Sequence, residues 1–285
     1  MIRNLRLAVV VEDSTSMENP ELLAKHGLCL VIEAQDDDSR QLTLMLDTGP
    51  SSDITLQNAQ RMAIDPWEVD AIVLSHGHYD HVGGLLGVLT KMEKRTLTIV
   101  HPRTFNPKLK LEPNIKSVGS PFKIDEAEKA GAELVCTHSP VPICDGISTS
   151  GQIVREVAFE RTEGFWTIEA GTLVQDAMLD DQALLVKLRE KGLVVITGCA
   201  HAGVINTIRH AQRVMGIEKV YAVIGGFHLE HAEEERLMAT LNELARLRPK
   251  LVCPCHCTGL SATGRLLDAL GKQCVPLRTG DVLRL

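Results

Sequence analysis

The chain has 285 residues, of which 44% are hydrophobic, so it can bury a large core in one or two domains. Its formal net charge of −7 and its pI near 5.9 argue against an RNA- or DNA-binding surface. The apolar run from Leu7 to Val11 stops at Glu12 and Asp13, and no stretch approaches the length of a membrane span. We therefore expect a cytoplasmic protein with neither a nucleic-acid nor a membrane partner.

The first half of the chain alternates strands with helices. Runs rich in Val, Leu and Ile predict strands over 5–12, 27–33 and 42–47, followed by a helix over 54–63. Asp47 ends the third of these strands. The carboxyl ends of strands are where α/β proteins usually assemble their sites, so Asp47 is a candidate site residue.

A dense group of polar side chains follows the next predicted strand, 70–74. His76 and His78 are two residues apart, and in an extended segment they point the same way, so they can bind one metal ion together. Asp80 and His81 follow as the chain turns, and they can face a second ion. Imidazole nitrogens with a carboxylate are the ligands that zinc and its first-row neighbours favour.

A helix over 85–94 and a strand over 97–102 complete this half. Residues 103–180 are harder to assign, because five prolines interrupt short strand-like pieces. We expect this region to consist of hairpins and loops that close over the site.

The second half returns to regular strands, predicted at 182–188, 192–197, 220–224 and 251–253. Three of them are followed by a histidine, namely His201, His228 and His256. The helix over 204–215 has one apolar side and ends at Gly216. His210 lies opposite that apolar side, so we expect it to face solvent.

The repeated order of strand, polar strand-end loop and helix favours two sheets packed face to face with helices outside. The eight cysteines are scattered, so a disulfide framework is not indicated. The spacing of Cys253, Cys255 and Cys257 is too tight for a Cys-x-x-Cys zinc grip. We expect these thiols, and Cys199, to be small buried residues.

The pattern His76-x-His78-x-Asp80-His81, with Asp47 upstream and His201 and His256 downstream, resembles the metallo-β-lactamase superfamily over essentially the whole chain. Phrases such as 25–28 (KHGL) and 197–203 (TGCAHAG) are similar to a narrower branch that includes archaeal dihydropterin synthase-like proteins of methanopterin synthesis. The resemblance implies an αββα sandwich of two packed mixed sheets, in one domain spanning 1–285.

The resemblance also implies ligand sets for two divalent metal ions, zinc first, with manganese or iron as alternatives. His76, His78 and His201 would bind the first ion. Asp80, His81 and His256 would bind the second ion. Asp47 would brace the histidine loop without binding metal.

One position departs from the superfamily pattern, in which an aspartate after a late strand bridges the two metals. Here that strand end reads Gly225-Gly226-Phe227-His228, and a neutral imidazole cannot bridge as a carboxylate does. Either a carboxylate from Asp176, Asp180 or Asp181 takes this place, or only hydroxide and substrate link the ions. We favour the second alternative, with His228 as a terminal ligand or a donor to substrate.

These features predict a dinuclear metal-dependent hydrolase that attacks a small phosphoester or related ester with a metal-bound hydroxide. Asp80 would guide the proton, and His228 or His26 would assist the leaving group. Further residues are candidates for contact with a small anionic substrate: His228, Arg155, Phe227 and His26. A homo-oligomer is left open.

Two other functions remain alternatives. One is a transferase that joins a dihydropterin methyl diphosphate to a ribofuranosylaminobenzene phosphate, with the metals activating the diphosphate. The other is a non-catalytic metal-binding module on the same scaffold. Family resemblance alone does not decide between reaction types.

Overall fold

The computed structural model describes residues 1–285. The strands are β1 (Ile2–Val11), β2 (Cys29–Asp36), β3 (Gln41–Leu46), β4 (Ala71–Val73), β5 (Thr96–Val100), β6 (Leu109–Lys110), β7 (Lys116–Ser117), β8 (Ala132–Cys136), β9 (Pro142–Cys144), β10 (Ile147–Thr149), β11 (Trp166–Glu169), β12 (Thr172–Gln175), β13 (Ala183–Leu188), β14 (Gly192–Thr197), β15 (Val220–Gly226), β16 (Leu251–Cys255) and β17 (Val282–Arg284). The helices are α1 (Ser52–Arg61), α2 (Tyr79–Val82), α3 (Leu85–Met92), α4 (Ile124–Lys129), α5 (Val204–Met215), α6 (Glu234–Leu247) and α7 (Leu260–Leu270).

The main sheet has two halves with mixed strand directions. In the first half the order is β1-β2-β3-β4-β5-β8, antiparallel as far as β3 and parallel from β3 onward. In the second half the order is β13-β14-β15-β16, with β14, β15 and β16 parallel. The halves join where Ile2 of β1 pairs with Leu188 of β13.

The two halves pack face to face, because alternate side chains of each strand point to opposite sides. Leu5, Leu7 and Val9 of β1 face the core between the halves, together with Val194 and Ile196 of β14. The alternate positions pack instead against α1 and α3 on one outer side, and against α5, α6 and α7 on the other. The αββα sandwich predicted from the sequence is confirmed, with its two sheets continuous along one edge.

Residues 103–180 contain the antiparallel pairs β6–β7, β9–β10 and β11–β12. The sequence did not predict the short helix α4, which lies in the same region. Phe165 precedes β11, and its ring centre lies 4.8 Å from that of His78 and 5.1 Å from that of His201. This part of the region therefore packs directly against the histidines.

Helix α5 shows where helical periodicity succeeds and where it fails. Gly216 ends the helix in the left-handed conformation, with φ of 63°, as the sequence predicts. The prediction that His210 faces solvent is wrong, since the residue is buried and its Nε2 lies 3.0 Å from the carbonyl oxygen of Ser150. The segment around Ser150 covers this side of the helix, which periodicity within the helix cannot reveal.

No helix in the structure combines the length and the apolar character needed to cross a bilayer.

Candidate metal centre

The histidine loop that follows β4 is fixed by a buried carboxylate. Asp47 Oδ1 accepts a hydrogen bond from the Ser75 backbone N–H at 2.7 Å, and Oδ2 accepts one from the Ser75 hydroxyl at 2.6 Å. The same Oδ2 lies 2.6 Å from His81 Nδ1, and Ser75 Oγ lies 2.9 Å from His76 Nδ1. Because both imidazoles are engaged through Nδ1, their Nε2 atoms are left to face the centre.

Three imidazole nitrogens of His76, His78 and His201, here called the first triad, converge at one point. His78 Nδ1 lies 3.0 Å from His76 Nε2 and 3.2 Å from His201 Nε2. Zinc–nitrogen bonds of ~2.0–2.1 Å in tetrahedral geometry place two ligand nitrogens about 3.3 Å apart. Burial lowers the pKa of all three imidazoles well below the ordinary value. The nitrogens are therefore neutral at pH 7, and their spacing fits a divalent ion.

Asp80, His81 and His256, here called the second triad, meet beside the first. The Nε2 atoms of His81 and His256 lie 3.1 Å apart. Asp80 Oδ2 lies 3.5 Å from the former and 3.4 Å from the latter. Two nitrogens and one carboxylate oxygen at these separations fit a second divalent ion. The six residues predicted as ligands are thus brought together in two adjacent groups.

Asp13, two residues after the end of β1, is a site residue that the sequence analysis did not identify. Its Oδ1 lies 2.8 Å from His256 Nδ1 and its Oδ2 lies 2.8 Å from His26 Nδ1. Burial opposes ionisation of Asp13, but hydrogen bonds from His256 and His26 outweigh it and hold the pKa of this carboxyl well below its usual range. Because the Asp13 carboxylate binds Nδ1 of His256, the Nε2 lone pair of His256 faces the other two donors of the second triad, Asp80 and His81. The available signal was an acidic pair, Glu12-Asp13, directly after an apolar strand.

His26 is half-exposed at the edge of the second triad. Its Nε2 lies 3.5 Å from Asp80 Oδ2, and its ring centre lies 4.9 Å from that of His256. His26 therefore lies on the solvent-facing side of the second triad.

His228 stands beside the first triad, with its ring centre 4.2 Å from that of His201. Its Nδ1 is buried and has no hydrogen-bond partner. Arg155 is half-buried, donates to the Met178 carbonyl oxygen at 3.3 Å, and has a buried Nε without a partner. Both side chains therefore retain unused hydrogen-bonding capacity.

Phe227 does not fit its predicted role in substrate contact. Its side chain is fully buried in the cluster formed with α5, α6 and α7. The residues Gly226 and His228 on either side of it reach the site, but the ring between them points into the core. A substrate has no access to it.

Two of the carboxylates considered as metal bridges, Asp176 and Asp180, have other partners, whereas Asp181 Oδ1 is buried without a hydrogen-bond partner. Lys108 is almost completely buried, and its Nζ lies 3.0 Å from Asp176 Oδ2 and 2.8 Å from Asp180 Oδ1. Asp180 Oδ2 also accepts the Gly77 backbone N–H at 2.8 Å, within the histidine loop. Asp181 Oδ2 accepts the Ala202 N–H at 2.8 Å, and burial raises the pKa of Asp181 to about 7. Asp176 and Asp180 thus position the loop through Lys108 and Gly77.

Gly77 cannot carry a side chain in this loop, and Gly77→Ala tests that requirement. A Cβ at Gly77 would lie 1.8 Å from the carbonyl oxygen of Thr104, a backbone atom that cannot move cheaply. We expect the loop to shift and zinc affinity to fall by about 10–100-fold or more in titration calorimetry. Gly264→Ala is the matched control, because a Cβ there meets nothing within 4 Å and should leave zinc affinity unchanged. Equal affinities in the two variants would contradict the close packing of this loop.

Comparison with known proteins shows the family of this chain. The sequence model of the metallo-beta-lactamase superfamily matches residues 24–151. The chain is 32% identical to the 7,8-dihydropterin-6-methyl-4-(beta-D-ribofuranosyl)-aminobenzene-5'-phosphate synthase of Methanocaldococcus jannaschii, over 99% of this chain and 97% of the relative.

Two solved structures are similar to this chain. A metal-dependent hydrolase of the beta-lactamase superfamily superposes with a TM-score of 0.82 at 25% identity, over 98% of each chain. A diphosphatase from the PhnP family shares the fold, with a TM-score of 0.54 at 16% identity over 100% of this chain and 98% of its own. From its sequence and its fold, this chain belongs to the metallo-beta-lactamase superfamily.

Proposed function

We propose that the chain is an enzyme that hydrolyses a small phosphoester with the help of two divalent cations. The observation that carries the proposal is the pair of adjacent donor groups, the first triad and the second triad, at the ends of separate strands. When bound, two such cations supply Lewis acidity and a water of lowered pKa at neutral pH. A non-catalytic module has no need of both groups in full.

Charge favours an anionic substrate. Two divalent cations carry four positive charges, and Asp80 is the one carboxylate among the six donors of the two triads. A substrate phosphate would offset part of the remaining positive charge, whereas a neutral ester would not. Arg155 adds a guanidinium, whose geometry matches phosphate oxygens.

Each residue has a distinct role in the proposed reaction. A water oxygen forms the new bond to phosphorus, and the ester oxygen leaves with a proton. His228 is the candidate donor of that proton, because its unpartnered Nδ1 adjoins the first triad. Asp80 directs the proton of the attacking water from its place in the second triad. His26 contacts the part of the substrate nearest solvent.

The test is a panel of substrates offered to protein purified with zinc: a phosphomonoester, a phosphodiester, a diphosphate and a neutral lactone. We expect turnover of at least one phosphorus substrate, loss of turnover on chelation and recovery when zinc is added back. His231→Ala, which removes an exposed histidine, should match wild type. Turnover of the lactone alone by protein carrying two zinc ions would contradict the proposal.

A transferase is the second candidate, because the Methanocaldococcus jannaschii relative at 32% identity over nearly the whole of both chains is a synthase. In that reaction the amine or carbon nucleophile of a ribofuranosylaminobenzene phosphate would displace diphosphate from a dihydropterin methyl diphosphate. The same cations would stabilise the departing diphosphate. Incubation with both compounds separates the two candidates: the coupled pterin product favours the transferase, and release of diphosphate without coupling favours the hydrolase.

A further inference from the structure

Cys199 lies at the centre of the two triads. Its Sγ is 3.1 Å from His81 Nε2, in the second triad. The same sulfur is within 4.8 Å of a ring nitrogen of His76 and of one of His201, in the first triad. It is also within 4.8 Å of a ring nitrogen of His256. One sulfur atom therefore adjoins donors of both groups.

The chain after β14 is shaped to hold this sulfur in place. A Cβ at Gly198 would lie 2.0 Å from Ser75 Oγ, so only glycine allows this close approach to the histidine loop. Ala200 has a positive φ of 55°, and this turn lets Cys199 and His201 both reach the centre. A Cβ at Gly226 would lie 3.3 Å from Cys199 Cα, so β15 packs closely from the other side.

The surroundings of Cys199 are polar, unlike those of the cysteines that pack in the apolar core. Cys29, Cys253 and Cys255 are buried within the apolar clusters of the core. Cys199 is 3% exposed, yet it belongs to none of these clusters. Its neighbours are imidazole nitrogens and the Cys257 thiol instead.

An unpartnered nitrogen of His228 adjoins Cys199 and His201. The donor atoms of Cys199, His201 and His228 lie within 4.8 Å of one another. His228 Nδ1 is buried without a hydrogen-bond partner. Buried polar atoms without partners are uncommon and are explained when an ion or ligand satisfies the group.

We propose that the Cys199 thiolate is a ligand of the cation held by the second triad and is shared with the cation of the first. β15 ends in glycine and Lys108 engages Asp176 and Asp180, so the remaining carboxylate candidate for the position between the ions is Asp181, whose Oδ1 is buried without a partner. We place the sulfur there because it adjoins donors of both triads. A zinc ion separates a thiolate sulfur from an imidazole nitrogen by about 3.6 Å, so the 3.1 Å gap to His81 widens by about half an ångström on binding.

A sulfur ligand has two chemical consequences. Thiolate is a soft donor, so it selects zinc over manganese and magnesium, which prefer oxygen. Binding also releases the thiol proton, and the thiolate offsets one further positive charge of the two ions. The site remains cationic and suited to a phosphate. The inference rests on the two cation sites of the proposed function but not on its substrate.

Cobalt spectroscopy tests the assignment without turnover. Cobalt(II)-loaded wild type should show a near-ultraviolet charge-transfer band from sulfur to cobalt, together with visible bands from the ion itself. Cys199→Ser should lose the near-ultraviolet band, keep the visible bands and bind zinc at least about tenfold more weakly. Cys29→Ser, in the apolar core, and Cys257→Ser, beside His256, are matched controls that should retain the band.

X-ray absorption of the zinc-loaded wild type gives a second measurement that needs no variant to fold. A zinc–sulfur distance of about 2.3 Å is expected. Two bound ions with only nitrogen and oxygen ligands would overturn the cysteine assignment and leave the proposed function standing. Loss of the band in Cys257→Ser instead of Cys199→Ser would also overturn it. Failure to bind any ion would overturn both proposals, and sulfur ligation without turnover of any substrate would overturn only the proposed function.

Discussion

Replacement of His76 with alanine should lower catalytic turnover by at least about 1,000-fold. His76 Nε2 lies 3.0 Å from His78 Nδ1, and its removal leaves the first triad with two nitrogens. Loss of one catalytic cation removes several kcal/mol of transition-state stabilisation, and each 1.36 kcal/mol is a factor of ten in rate. The metal content should fall from two ions per chain to one, because Asp80, His81 and His256 are unchanged.

The measurement pairs turnover of the best phosphoester substrate with metal analysis of the same sample. His138→Ala is the matched control: it removes an exposed histidine and should keep both ions and full turnover. Full activity in His76→Ala would remove the first triad from the mechanism. Full metal content with lost activity would show that His76 acts on the substrate and not on the ion.

Lys108→Met should strongly destabilise the folded protein, because the buried ammonium pairs with two buried carboxylates. Burial disfavours the ammonium, but the carboxylates of Asp180 and Asp176 outweigh it and hold the pKa of Lys108 above its ordinary value. Methionine would leave two buried carboxylates unpaired. Removing one partner of a buried ion pair costs about 3–5 kcal/mol, so the free energy of unfolding should fall by that amount in urea denaturation.

A second substitution distinguishes charge from packing. Adding Asp176→Asn to Lys108→Met removes one of the two unpaired charges, so the double variant should regain part of the lost stability. Lys116→Met, at an exposed lysine, should change the free energy of unfolding by no more than about 0.5 kcal/mol. A Lys108→Met variant as stable as wild type would show that Lys108 does not balance these carboxylates.

Much of the site could be predicted because its residues follow regular strands. His76, His201 and His256 each lie shortly after a continuous apolar run, and such a run predicts a buried strand that ends just before the histidine. Parallel neighbours such as β14, β15 and β16 bring their carboxyl ends to one edge. The apolar runs predict that these histidines lie at strand ends, and the resemblance to the superfamily indicated which of them would meet.

Other parts of the site depend on contacts that no local pattern encodes. Lys108 lies in an irregular segment, and its partners Asp176 and Asp180 are about seventy residues away. Asp13 follows a strand as Asp47 does, but its two histidine partners are identified only by the fold. Phe227 is adjacent to His228 in sequence, yet the two side chains face opposite sides of the strand end.

The central claim is that strand ends from both halves of the sheet assemble two adjacent cation sites. The most direct test is anomalous diffraction at the zinc edge from crystals of the zinc-loaded protein. Two peaks are predicted, one among the nitrogens of His76, His78 and His201, and one among the donor atoms of Asp80, His81 and His256. An anomalous map that lacks one or both of these peaks would contradict the claim.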